Sequence, residues 1–372
     1  MKREILSTAT ELRHQLHAHP ELSMHETWTK AHLMEFLKEH TKLELVDRGR
    51  WFYAAYRAGD DKPNIAFRAD FDALPVEEAP DFVPYASKFP GISHKCGHDG
   101  HSAALAAFAL DLEENGADKN VYLIFQHAEE TGQGAAECAA LLEEKHISEI
   151  YAVHNLPGLR FGAVAAPDGT AQFASTGMIL TFEGKQSHAC YPENGRNPAF
   201  AISELILALE GLSKNPKYRG MTLVTVIAVN VGEHAFGTNA GHGELLLTVR
   251  GAFGDELDDL LRAIGETAQE RAAQYGLKCA VRYEDAFPDT FNHPACAEKV
   301  RRAARELGIP VETLAEPFRA SEDFGWYTKK IPGAIFYVGG GDCPPLHTDT
   351  FAFPDALIGT IGDMYRKLLS FC

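Results

Sequence analysis

The chain has 372 residues, 45% hydrophobic and 23% charged, a composition that excludes a fibrous or fully disordered protein and supplies an extensive core. Lys and Arg total 35 against 52 Asp and Glu, a formal charge of −17, so the surface repels phosphate backbones, and neither nucleic acid nor an anionic membrane is an expected partner. No apolar run reaches the roughly 20 residues of a membrane span, and no signal-peptide pattern follows the first basic residues, so a cytoplasmic protein is expected.

In chain order, the first 40 residues read as two helices separated at HAHPELS, where Pro20 ends the first and the second runs from about Glu26 to Glu39. Near-continuous apolar runs of strand length follow: NIAFRADF, VYLIFQ (121–126), EIYAV (149–153) and AIFYV (334–338), the pattern of strands buried on both faces. HSAALAAFALDLEEN (101–115) between two of them is a crossover helix, which predicts an α/β fold with a mainly parallel sheet flanked by helices. From about residue 174 the order changes to strand, helix (Asn197 to Leu212), two strands, a long helix (Asp255 to Tyr275) and a last strand, KCAVRYED. That β-α-β-β-α-β order is ferredoxin-like. A discontinuous catalytic domain over 1–172 and 287–372, interrupted by an inserted domain over 173–286, is the expected organisation.

Seven cysteines without framework spacing argue for reduced thiols rather than a disulfide scaffold, and 17 histidines invite a search for metal ligands. In parallel α/β sheets, functional groups gather beyond the carboxyl ends of the strands. After NIAFR come Asp70 and Asp72; after VYLIFQ come His127, Glu129 and Glu130; after EIYAV comes His154; after AIFYV come Gly339 to Gly341 and then His347. The loop SHKCGHDGH, which opens the crossover helix, adds His94, Cys96, His98, Asp99 and His101. Each residue alone has a bland reading, as a bonded loop histidine, a solvated acid pair or a small buried cysteine. Five arrivals at one edge do not, because so many buried carboxylates without a cation would repel one another. Thiolate, imidazole and carboxylate together suit zinc and neighbouring first-row ions rather than calcium or magnesium.

FRADFDALPVEE, SHKCGHDGHSAAL, QHAEETGQGA, YAVHNLPGL, FEGKQSHACYPENGRNPA and PPLHTDTFAFPD resemble, in order and spacing, the amidohydrolase branch (subfamily D) of the M20 metallopeptidase family. The resemblance covers nearly the whole chain. It implies two divalent ions per subunit (Zn, Mn, Ni or Co) held by Cys96, His98, Glu130, His154 and His347, with the cysteine bridging. It further implies Glu129 as the catalytic base, His188 as an oxyanion-stabilising residue delivered to the partner subunit of a homodimer by the inserted lid and dimerisation domain, and Asp70 as a carboxylate orienting the ions. The implied reaction is cleavage of the amide of an N-acyl amino acid or related small conjugate through a metal-activated water.

Arg68 stands where the wider family has a metal-ligating histidine, as this branch does. His127 replaces a proline common before Ala-Glu-Glu and reads as a tolerated loop residue, and AFGTNAGHGELLLTVRG (235–251) departs from the Asn-Val-Ile-Pro motif of many relatives, leaving Asn239 as a weak substitute contact. Glu322 and Asp323 read as the acidic start of a helix, and the triple glycine, lacking a P-loop lysine, as a tight turn toward His347. Three other readings compete: a small-peptide (di- or carboxy-) peptidase of the same fold, a cysteine hydrolase using Cys96 with His98 or His101, and a non-catalytic amino-acid or peptide binder.

Overall fold

The computed structural model describes all of residues 1–372, which divide into two compact units. The first comprises Met1–Ala171, Thr290–Glu316 and Glu322–Cys372; the second comprises Gln172–Asp289 and the short segment Pro317–Ser321.

The first unit is built on a seven-stranded sheet in the order Glu44–Asp47, Phe52–Tyr56, Asn120–Gln126, Asn64–Asp70, Ile147–Pro157, Gly333–Gly341, Val164–Ala165. The four strands from Asn120–Gln126 to Gly333–Gly341 are mutually parallel, and antiparallel pairs close both edges. Every residue of Asn120–Gln126 is buried, because helices cover both faces and leave no polar side for alternation. The helix His98–Asn115 packs on one face with Ala103, Ala104, Ala106, Ala107 and Ala109 fully buried, small side chains that let it lie close beside the helices Arg3–Ala18 and Leu357–Leu369. The edge hairpin Glu44–Tyr56 escapes the reading of apolar runs because its outer strand is only half-buried.

The glycine run is strand rather than turn. Gly339 to Gly341 extend Gly333–Gly341, and a Cβ on Gly339 would sit 2.0 Å from the Arg160 carbonyl. The glycine lets the Leu159–Ala163 segment close onto the strand, with Gly339 N–H donating to Ala163 O at 2.8 Å.

The second unit has a four-stranded antiparallel sheet ordered Thr222–Val231, His242–Gly251, Ala174–Glu183, Lys278–Phe287. Strand period two and helix period 3.6 meet in one core: Met178, Leu180, Phe182, Leu245, Leu247 and Val249 face Ile202, Leu205 and Leu209 of Ala199–Ser213 and Leu257, Leu260 and Ile264 of Gly254–Gln274. The chain order is that of a ferredoxin-like fold.

Candidate metal centre

The parallel strands deliver their side chains to one edge of the first unit's sheet. Asn64–Asp70 ends on Asp70, with Asp72 two residues on, and Asn120–Gln126 runs into a turn carrying Glu129 and Glu130. His154 lies within Ile147–Pro157 rather than beyond it, since that strand is longer than its apolar run. Cys96 and His98 flank Gly97, whose φ of +101° and 2.3 Å Cβ clearance to Asn155 Oδ1 admit only glycine. His347 is brought in by a left-handed backbone, φ +63°, and by its N–H donating to Lys95 O at 2.7 Å.

Two triads of ligand atoms form, each with its atoms within 4.8 Å of one another: Cys96, His98 and His154, and Cys96, Glu130 and His347. Cys96 belongs to both. Its Sγ lies 3.4 Å from His154 Nε2, and Glu130 Oε1 lies 3.7 Å from His98 Nε2 and 3.8 Å from His347 Nε2. A third group joins His98, Glu129 and Glu130. His98 Nε2 and Glu130 Oε1 are buried without a hydrogen-bond partner, as expected of atoms reserved for a cation.

The electrostatics point the same way. Burial raises Glu129 well above the usual carboxylate range, with Glu322, Glu130 and Asp323 adding to it, and burial carries Glu130 to about 7 against the pull of His98. The Cys96 thiol is pushed well up, by burial first and then by Glu130 and Glu129. Burial opposes the charged form of His98, yet Asp70 and Asp72 hold it at about 10. Burial lowers His154 well below the usual imidazole range, and His347, although exposed at its side chain, is lowered by partial desolvation and by the charge of His98, which favours the neutral form that ligates. One thiol, three imidazoles and a carboxylate, with the thiol and carboxylate disfavoured as anions and His98 drawn to a positive charge, form a set whose negative field a divalent cation would satisfy. The same raised thiol does not suit a cysteine nucleophile, which needs a depressed one.

Behind the candidate ligands lies a layer of partners that the sequence reading assigned only in part. The side chain holding His98 is Asp72: its Oδ1 accepts His98 Nδ1–H at 3.0 Å, while its Oδ2 accepts Glu130 N–H at 2.9 Å and Ser23 Oγ–H at 2.7 Å. Asp70, the expected orienting residue, accepts from His101 Nδ1 at 2.7 Å and Arg68 Nη1 at 2.6 Å and stands 4.0 Å from His98 Nε2. Two aspartates two residues apart on a strand end point the same way, so sequence could not choose between them.

Glu322 and Asp323 precede the short helix Gly325–Thr328, and their carboxylates accept amides at helix starts, from Phe324 at 3.0 Å and from Ala135 at 2.8 Å, while also facing the site. Arg68 reaches them at 3.1 and 2.7 Å, Gln126 donates to Asp323 at 2.8 Å, and both carboxylates lie within 4.8 Å of a Glu129 oxygen. Arg68 thus neutralises a buried acid cluster beneath Glu129. His127 lies in the loop after Asn120–Gln126, fully buried, with its Nε2 3.3 Å from Glu137.

His188 lies in the second unit, exposed, on the two-residue strand Ser187–His188 that pairs with Thr238–Asn239; its Nδ1 accepts Cys190 N–H at 3.0 Å. Asn239 is engaged structurally, donating to Ser187 Oγ at 3.1 Å and accepting from Asn197 at 2.8 Å, which leaves little of it for a substrate.

A mainly parallel α/β sheet whose strand ends gather a thiol, imidazoles and carboxylates defines a metal-dependent hydrolase. Comparison makes this specific: residues 66–370 match the model of peptidase family M20/M25/M40, and the chain belongs to that family. It is 32% identical over 353 residues to the N-acetyl-L-cysteine deacetylase of Bacillus subtilis (strain 168), covering 93% of this chain and 84% of that protein. A structure from methicillin-resistant Staphylococcus aureus, 27% identical, aligns over 99% of this chain and 97% of its own with a TM-score of 0.90. A dinuclear metal-binding peptidase of the M20 family from Bacillus subtilis, 26% identical, aligns over 100% and 99% with a TM-score of 0.84. The enzyme is a metal-dependent amidohydrolase, and none of its helices is long and apolar enough to cross a membrane.

Proposed function

We propose that the protein is a deacylase of N-acyl amino acids or related small conjugates, with two divalent ions per subunit. The observation that carries this reading is the pair of ligand triads sharing Cys96 beside a further buried carboxylate, Glu129. Cys96, His98, Glu130, His154 and His347 would hold the ions, drawn from zinc, manganese, nickel or cobalt. When bound, such ions polarise a scissile carbonyl and lower the pKa of water.

Glu129 is an acid of the cluster that is not in the proposed ligand set and stands beside Glu130. Its raised proton affinity suits a group that takes a proton from the attacking water and returns it to the departing amine nitrogen. His188 would supply a donor to the developing oxyanion of a neighbouring subunit's substrate. The resemblance to a deacetylase of an N-acetyl amino acid supports the substrate class.

A homodimer through the second unit is part of the same proposal, with the catalytic domain in the first unit and a lid and dimerisation domain in the second. Phe200 and Leu207, 63% and 82% exposed, lie on one face of the helix Ala199–Ser213, which packs beside Thr222–Val231, an edge strand with Ile227 58% exposed. An open edge next to an apolar helix face suits self-pairing about a two-fold axis.

The test is free-amine release from N-acetyl, N-benzoyl and longer N-acyl amino acids, with dipeptides alongside, after chelation and re-addition of each metal. Glu129→Gln is expected to retain its ions and lose most of its turnover. Equal turnover of this variant and the wild type would overturn the assignment.

A further inference from the structure

The loop between the helices Arg3–Ala18 and Trp28–His40 sends two polar side chains to the metal-centre side of the sheet. Ser23 Oγ donates to Asp72 Oδ2 at 2.7 Å, and Glu26 Oε1 accepts the Ala128 N–H, also at 2.7 Å. Between them Met24 adopts φ +70°, a left-handed conformation rarely taken by a side chain of that size. Glu26 is 6% exposed, and no function described above uses it.

Ala128 is itself unusual. It precedes Glu129, it is fully buried, and its φ is +48°. A non-glycine residue in this region is strained and persists only where its surroundings fix it. Here both polar atoms of the residue are held. Its carbonyl accepts the N–H groups of Gln133 and Gly134 at 3.2 and 3.1 Å, closing the turn onto the short helix Gly134–Cys138, and its N–H has Glu26 as acceptor. Without that acceptor, a buried amide would be left unpaired in a strained turn. Relaxing the turn would swing the two residues that follow, Glu129 and Glu130. Asp72 would still hold the Glu130 amide and His98, so the ligands would be less disturbed than Glu129.

We propose that Glu26 is a positioning residue for the hydrolytic reaction: as the hydrogen-bond acceptor of Ala128 N–H, it fixes the left-handed turn that aims Glu129. The inference rests on the reading of Glu129 as the proton carrier.

Three variants separate its elements. Glu26→Gln keeps an oxygen acceptor in an amide of the same length, Glu26→Leu keeps bulk without an acceptor, and Glu26→Asp keeps the carboxyl group but draws the oxygen back by one methylene. Each is followed by kcat and KM on an N-acyl amino acid, by ion content, and by amide hydrogen exchange of Ala128 in metal-free protein. Leu and Asp are expected to lower kcat about 10–100-fold with ions retained, as loss of a ligand-supporting partner does elsewhere. They should speed Ala128 exchange, and Gln should restore both readouts. A Gln variant as impaired as Leu overturns the proposal, since an oxygen acceptor for the Ala128 amide would then not be what matters. So does a wild-type kcat with unchanged Ala128 protection in Asp, the variant that keeps the test open if Leu does not fold. Glu129→Gln in the same assay separates the two readings: its normal turnover would remove the role of Glu129, while Ala128 exchange would still report whether Glu26 holds the turn.

Discussion

His98 and Asp72 are joined by a 3.0 Å hydrogen bond that leaves the opposite ring nitrogen, Nε2, free and facing Glu130 at 3.7 Å. The carboxylate is ionised, since burial, the largest single effect, is outweighed by His98, the Glu130 amide and Ser23 together, so it can only accept, and Nδ1 must carry the hydrogen. One side chain therefore fixes the tautomer of one candidate ligand and, through the Glu130 amide, the backbone of another. Asp72→Asn would set an amide NH2 against either the imidazole or the Glu130 and Ser23 donors. Metal affinity, read by competition with a chromophoric chelator, is expected to fall about 10–100-fold. Wild-type affinity would remove Asp72 from this role.

Metal binding should release protons. In the chain without ions the Cys96 thiol is pushed well up and His98 sits at about 10, so both carry a proton at neutral pH that a cation must displace. Calorimetric titration at pH 7.5 in buffers of different ionisation enthalpy is expected to show release of about two protons per site, with affinity rising with pH. Binding without proton release would mean that Cys96 and His98 do not ligate.

The helix that opens at His98 is also held from its far side. Arg13 and His17 of Arg3–Ala18 bond Asp99 at 3.0 and 2.8 Å, and His17 bonds Glu78 at 2.9 Å. Although burial opposes ionisation, the bonds from His17, Lys95 and the Ser87 amide bring Glu78 down to about 2. A carboxylate depressed in the folded state contributes stability above its unfolded value of 4.5, and that contribution is lost as pH falls toward 2. Glu78→Gln should therefore unfold at lower temperature than the wild type at pH 6–7, and the gap should shrink as pH falls from about 4.5 to 2. A gap constant across that range would show that the Glu78 charge does not contribute.

His188→Ala should lower turnover by about 10²–10³-fold with ion content unchanged, the effect of removing one oxyanion donor. Because the proposal places this histidine at the partner's site, re-associating His188→Ala with Glu129→Gln should regain about a quarter of wild-type activity, one intact site in each mixed dimer. No recovery from a verified mixed dimer would place His188 at its own subunit's site or at none.

Much of this was legible in the residue order. Buried parallel strands have no polar face, so they read as the runs around Phe67, Ile124, Val153 and Phe336, and the rule that such strands expose their functional groups at one end collected Glu129, Glu130, His154 and His347 from distant parts of the chain. The outer edge strand Glu44–Asp47 was not legible, because four half-exposed residues carry no clear period.

The sequence by itself determined the fold class and the kinds of donor at the site, because both follow from local patterns: periodicity within an element and the residues just past its end. Only the tertiary structure decided which donor answers to which. That His98 leans on Asp72 and not on Asp70, that Arg68 gathers Glu322 and Asp323, and that Glu26 holds the amide ahead of Glu129 are pairings across 26 to 255 residues of chain. Their partners are chosen by packing, where side chains with equal chemistry are separated only by an ångström or two of position.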